Sequence, residues 1–128
     1  MKKQVKIDRR LHPRIAKSLP IRVAANGYDF TTTTENVSCV GAYCRINKYI
    51  PPFTRVMVKL SLPVATKKGG KKVVVECKGV LVRTDDDAYG GFNIAIFFNE
   101  IKEYQKKIIS QYVNQFISAA NSPSAWGK

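Results

Sequence analysis

Eight consecutive residues, Arg55-Val56-Met57-Val58-Lys59-Leu60-Ser61-Leu62, change sides at every step and set Val56, Val58, Leu60 and Leu62 on one face. A period of two belongs to an extended strand, because successive side chains of a strand point to opposite faces. Such a strand cannot stand alone: it needs partners along its edges and a layer to cover its apolar face. The remainder of the chain supplies both.

Ile21 to Ala25 alternates and runs into Asn26-Gly27, a pair that tolerates positive φ and suits a two-residue hairpin turn. Tyr28 to Thr34, rich in aromatic and β-branched residues, is then the return strand. Ala42 to Ile46 reads as a third strand after a turn formed by Asn36-Val37-Ser38-Cys39-Val40-Gly41, and Pro51-Pro52 interrupts the chain before the strand at Arg55. Thr66 to Lys72 sets two glycines among four lysines and lacks the GxxxxGK(S/T) order of a triphosphate loop, so it reads as a solvated hairpin tip. Val73 to Arg83 is a long strand with Gly79 at a bulge or bend. Asp85-Asp86-Asp87 is a polar turn, because it lacks the glycine and closing glutamate of a calcium loop. Gly90 to Phe98 makes the last strand.

From about Asn99 the apolar residues recur at three and four: Ile101, Tyr104, Ile108, Ile109, Tyr112, Val113, Phe116 and Ile117. That spacing predicts an amphipathic helix. The fold class is mainly β, with six strands closing into a small antiparallel barrel and one C-terminal helix, since closure removes the exposed edges of so short a sheet. The chain divides into a flexible basic arm (1–19), the barrel (20–98), the helix (99–120) and a mobile Ser/Pro/Gly tail (121–128). The helix is expected to cover an end of the barrel, and its length also suits a homodimer or partner contact.

Twenty-two Lys and Arg stand against nine Asp and Glu, a formal charge of +13, so the partner is expected to be an anion. Residues 1–22 hold Lys2, Lys3, Lys6, Arg9, Arg10, Arg14, Lys17 and Arg22 against Asp8 alone. No apolar run reaches the roughly 18 residues of a membrane span, and the basic start leads into no signal-peptide core, which points to the cytoplasm. Cys39, Cys44 and Cys77 lack a CxxC spacing and have only His12 as a nitrogen co-ligand, so they read as reduced, partly buried thiols, with no metal. One histidine beside a proline and no Ser/His/acid set leave no acid-base or nucleophilic chemistry. The chain is expected to be no enzyme and to need no catalytic cofactor.

Pro13 pushes His12 out of the α region and keeps Arg10 to Arg14 extended or turned. Residues four apart in an extended segment point the same way roughly 13 Å apart, so Arg10 and Arg14 can grip two parts of one elongated anion. Their planar forks suit phosphate and the O6/N7 edge of guanine. In Asn36-Val37-Ser38-Cys39-Val40-Gly41, the Asn36 side chain offers an acceptor, Ser38 a hydroxyl donor and Gly41 a backbone free to take positive φ.

Arg10-Leu11-His12-Pro13-Arg14 followed by Asn36-Val37-Ser38-Cys39-Val40-Gly41 resembles the RxxxR and D/N-x-S-x-x-G motifs of PilZ domains, bacterial receptors for cyclic di-GMP. The resemblance runs from about Asp8 to Phe98 and takes in Cys77 to Arg83 and Tyr89 to Phe97. It implies a six-stranded antiparallel Greek-key β-barrel of the split-barrel type, whose N-terminal arm folds over the bound dinucleotide. Arg10 and Arg14 would then meet phosphates and guanine edges, while Asn36, Ser38 and Gly41 line a guanine. Asn36 stands where the family more commonly has Asp; an amide accepts one guanine donor but lacks the carboxylate's charge. Arg9, immediately before the motif, implies an intercalated pair of ligand molecules. The implied role is a single-domain receptor that passes its signal to a downstream protein through ordering of the arm. Two rival readings rest on the residues alone: sequence-independent binding of RNA or single-stranded DNA by a basic barrel, and a scaffold that works through its helix and binds no nucleotide.

Overall fold

In the computed structural model, which describes residues 12–66 and 69–121, strands β1 (Pro20–Ala25) and β2 (Tyr28–Ser38) form the expected hairpin. Gly27 at its tip takes φ 77°, the left-handed conformation that favours glycine. Strand β3 (Gly41–Ile46) pairs with β2, and β4 (Arg55–Thr66) returns to pair with β1, setting Val58 opposite Val23. The resulting order, β4 beside β1-β2-β3, is a Greek key. Strand β5 (Gly69–Asp86) lies along β4, and β6 (Phe92–Glu100) joins β5 to β3. All neighbours are antiparallel and the ring closes as β1-β2-β3-β6-β5-β4.

The face predicted from alternation is the core: Val56, Val58, Leu60 and Leu62 are each at most 3% exposed. They meet Ile21, Val23, Val37, Leu81 and Ile94 inside the barrel. Strands β4 and β5 are longer than their alternation alone suggests, because each serves as the other's partner out to Thr66 and Gly69, beyond where β1 and β6 stop. Helix α1 (Glu103–Asn121) buries Ile109, Tyr112 and Val113 of the predicted stripe. It starts later than the periodicity suggests, since β6 keeps pairing as far as Glu100 opposite Lys78, and Tyr104 is left exposed. Among the described residues no helix is long and apolar enough to cross a membrane.

All three cysteines are buried and free. Burial pushes the Cys44 thiol up to about 12, with the nearby Glu35 carboxylate adding to the shift, and the Cys77 thiol up to about 11.

The end of the arm is part of the folded unit. Ile15 and Val37 exchange backbone hydrogen bonds of 3.0 Å each, and Thr34 N–H donates to the Leu19 carbonyl at 2.9 Å. Thr34 Oγ1 accepts the Leu19 N–H at 2.9 Å and donates to the Lys17 carbonyl at 2.5 Å. Ile15 and Leu19 are buried, and the Lys17 ammonium sits 4.3 Å over the Phe116 ring of α1. Residues 15–19 thus continue the line of β1 along β2. Arg9, Arg10, the rest of the arm to Leu11, the tip lysines Lys67 and Lys68 and the tail from Ser122 lie outside the described residues.

Candidate ligand-binding site

Two bulges decide which side chains reach the outer surface beside the arm. In β2 the pairing passes from Thr34 opposite Cys44 to Asn36 opposite Tyr43, leaving Glu35 as the extra residue. Thr34 faces inward and is buried; two residues on, an unbroken strand would again face inward, so the extra residue is what sends Asn36 out. Strand β5 repeats the device: Leu81 pairs with Ile96 and Arg83 with Ala95, leaving Val82 over. Leu81 is fully buried, and Arg83 is turned outward.

The outcome is one row across four strands, Asn36 on β2, Tyr43 on β3, Ala95 on β6 and Arg83 on β5. Three strand spacings separate its ends by about 14 Å. Ala95 is small, so Arg83 can reach across it: its guanidinium lies 5.8 Å from the centre of the Tyr43 ring. Ser38 and Gly41 face each other in the adjacent row at the mouth of the β2–β3 connection.

The motif expected to form a turn over 36–41 is mostly strand. Asn36 to Ser38 close β2, Gly41 opens β3, and only Cys39 and Val40 make the turn. The Ser38 hydroxyl oxygen, buried, accepts the Val40 N–H at 3.1 Å and keeps its own hydrogen for another partner. Gly41 does not use positive φ. Its requirement for glycine is a close approach instead, because a Cβ there would run into the Ile96 carbonyl oxygen of β6.

The bridge from Ile15 to Val37 brings the preceding residue, Arg14, level with Ser38, where its side chain is exposed. His12 reaches the turn, with Nδ1 3.3 Å from Cys39 Sγ. Between arm and sheet is a cavity of about 250 Å³ bordered by Arg14, Asn36, Ser38, Gly41, Tyr43 and Arg83. Four of the six residues nominated from the sequence, Arg14, Asn36, Ser38 and Gly41, therefore come together, while Arg9 and Arg10 lie outside the described residues. Tyr43 and Arg83 join the site unannounced, and no pattern within the chain could have found them. Their place depends on strand pairing and on the bulge at Val82.

Asn36 Oδ1 is buried against this wall with no hydrogen-bond partner. Among the described residues only Asn93 Oδ1 shares that condition, and Asn93 is engaged through its amide nitrogen with Asp87 at 2.9 Å. Such a group is expensive to leave unmatched and marks a place for a donor. Electrostatically the other end of the row is cationic. A hydrogen bond with Tyr43 and the nearby Asp85 carboxylate hold the Arg83 guanidinium above its usual range. A larger groove of about 680 Å³ lies between β5 and the start of α1, lined by Val74, Glu76 and Tyr104, but there Lys78 is paired with Glu100 at 3.5 Å. The smaller cavity has the chemistry for an anion with hydrogen-bond donors.

Comparison with known proteins gives one family whose model matches, the PilZ domain, over residues 8–115. No curated protein matches the chain. Among solved structures, the inhibitor of motility MotI/DgrA of Bacillus subtilis superposes with a TM-score of 0.77 at 16% identity, over 90% of this chain and 54% of that one. YcgR of Escherichia coli in complex with c-di-GMP gives 0.67 at 10% identity, over 95% and 52%. The PilZ domain of the same YcgR with c-di-GMP gives 0.59 at 12% identity, over 92% and 98%. The chain thus spans about half the length of the first two and nearly all of an isolated domain.

Proposed function

Because the chain belongs to the PilZ domain family, we propose that it is a receptor for cyclic di-GMP, bound between the arm and the β2–β3–β6–β5 face. The observation that carries this reading is the buried, unpartnered Asn36 Oδ1 beside the cavity that Arg14 borders. A guanine presents N–H donors on one edge and the O6 and N7 acceptors on another. Asn36 Oδ1 accepts from the first edge, and Arg14 is suited to the second or to a phosphate. The Ser38 hydroxyl hydrogen and the bare backbone at Gly41 let the ligand come close. A cavity of about 250 Å³ takes one base and not a whole dinucleotide. Arg10 is therefore assigned to the remainder of the ligand from the arm, and Arg9 to a second ligand molecule of an intercalated pair.

The signal runs through the arm. His12 and Pro13 border a small cavity with Ser110 and Val113 of α1, and Lys17 lies on Phe116, so the arm touches ligand site and helix together. Ligand binding orders the arm over the site and changes the surface offered to a downstream protein. The chain binds and does not catalyse. Its three buried free thiols suit the reducing cytoplasm.

The test is titration calorimetry of wild type and Arg14→Ala with cyclic di-GMP. Loss of a charge-assisted contact lowers affinity about 10- to 100-fold; equal binding by both removes Arg14 from the site. A single-stranded oligonucleotide titrated at the same salt concentration addresses the rival reading, which requires affinity that grows with oligonucleotide length and no preference for the cyclic dinucleotide.

A further inference from the structure

We propose that Arg83 is a further ligand contact of this site and that Asp85 competes with the ligand for it, so that the Asp85 carboxylate sets the affinity. The proposal rests on the cyclic di-GMP reading above.

Arg83 is on the outer face only because β5 carries an extra residue at Val82; without it, Arg83 would follow Leu81 into the barrel interior. A bulge weakens the ladder locally, and its visible effect here is to aim one guanidinium along the floor of the cavity. That floor is Ala95, whose small side chain leaves the way open to Tyr43. Asn36 and Arg83 are thus rooted at opposite ends of one row, three strands apart, and the Arg83 guanidinium reaches back over Ala95 to the Tyr43 ring, so that both side chains border one cavity. A ligand that sets one base against Asn36 brings the far edge of that base, or the phosphate attached to it, towards the Arg83 guanidinium.

In the described state Arg83 Nε is held 2.8 Å from Asp85 Oδ2. Both side chains are more than half exposed, at 61% and 51%, so water screens the pair and it stabilises the fold little. A phosphate or a guanine O6/N7 edge offers the same guanidinium a paired, better-enclosed acceptor. Binding then exchanges the Asp85 carboxylate for an acceptor of the ligand, and Asp85 opposes it by occupying Arg83. The neighbouring Arg45 is itself engaged with Asp87 at 3.3 Å and with the Gly90 carbonyl.

The experiment is calorimetric titration of the full chain with cyclic di-GMP at one salt concentration, for wild type, Arg83→Ala, Asp85→Asn and the double variant. Arg83→Ala is expected to weaken binding by about tenfold or more. Asp85→Asn is expected to tighten it by about two- to fivefold, the scale of an exposed ion pair. In the Arg83→Ala background the Asp85→Asn gain is expected to fall below about twofold, because the carboxylate acts through Arg83. Unliganded melting temperatures of the variants should match that of wild type, which separates a ligand contact from a structural role. Wild-type binding by Arg83→Ala overturns the contact. An Asp85→Asn gain of equal size in both backgrounds overturns the competition and leaves only general electrostatics. If wild type itself binds no cyclic di-GMP, the receptor reading falls and this inference with it; if wild type binds and Arg83→Ala binds equally, this inference alone falls.

Discussion

Replacing Asn36 by alanine should move stability and affinity in opposite directions. Asn36 Oδ1 is buried without a partner, and leaving such an acceptor unmatched costs about 1–3 kcal/mol in the unliganded protein. Alanine removes that cost together with a little packing, for a net gain of about 1 kcal/mol, or about 3–5 °C in melting temperature for a chain of this size. In the complex the same oxygen accepts a guanine N–H, and losing that neutral hydrogen bond costs about 0.5–1.5 kcal/mol, roughly 2- to 13-fold in affinity. Urea denaturation without ligand reads the first effect, and titration with cyclic di-GMP reads the second. A loss of more than about 1 kcal/mol in unliganded Asn36→Ala would show that the oxygen serves the fold. Unchanged affinity would show that it does not receive the base.

Gly41→Ala should destabilise by about 1–3 kcal/mol in urea, because its Cβ meets the backbone oxygen of Ile96, which the β3–β6 pairing holds in place. Phe53, exposed at the tip of the 47–54 loop, has φ 71°, so Phe53→Gly should raise stability by about 1 kcal/mol, read as a higher urea midpoint. Hydrogen bonds from Asn93 and the Tyr89 N–H, with the Arg45 charge, hold Asp87 below the usual carboxylate range. A depressed folded pKa contributes stability that is present above the unfolded value, near 3.8, and is lost as pH falls through the folded one. The urea midpoint of wild type should accordingly drop on acidification below about pH 4, and that of Asp87→Asn should drop less steeply.

Local pattern made much of the barrel legible. Alternation at Val56, Val58, Leu60 and Leu62 identified the buried face, and Asn26-Gly27 identified the first hairpin, because both depend on residues adjacent in the chain. Ile109, Tyr112 and Val113 behaved as the helical spacing predicts, whereas Tyr104, at the start of α1, borders the open groove against β5 and is left exposed. Gly79 does sit at a register shift, with Ile96 and the Phe97 backbone close against it. The bulges at Glu35 and Val82 were not legible: an extra residue exists only relative to a partner strand, and those partners, Cys44 with Tyr43 and Ile96 with Ala95, come from elsewhere in the sequence. That is also why Asn36 could be nominated from a motif while Tyr43 and Arg83 could not. The arm illustrates the same limit, since its apolar residues Ile15 and Leu19 show no periodicity and are fixed by bonds to Val37 and Thr34.

The most direct test of the receptor reading is the melting temperature of the purified chain with and without cyclic di-GMP. A ligand bound only by the folded state at about 100 times its dissociation constant adds about 2.7 kcal/mol, or roughly 10 °C here. The reading predicts that rise for wild type and a smaller one for Arg14→Ala at the same ligand concentration. No rise with cyclic di-GMP, alongside a clear rise with a single-stranded oligonucleotide, would contradict it.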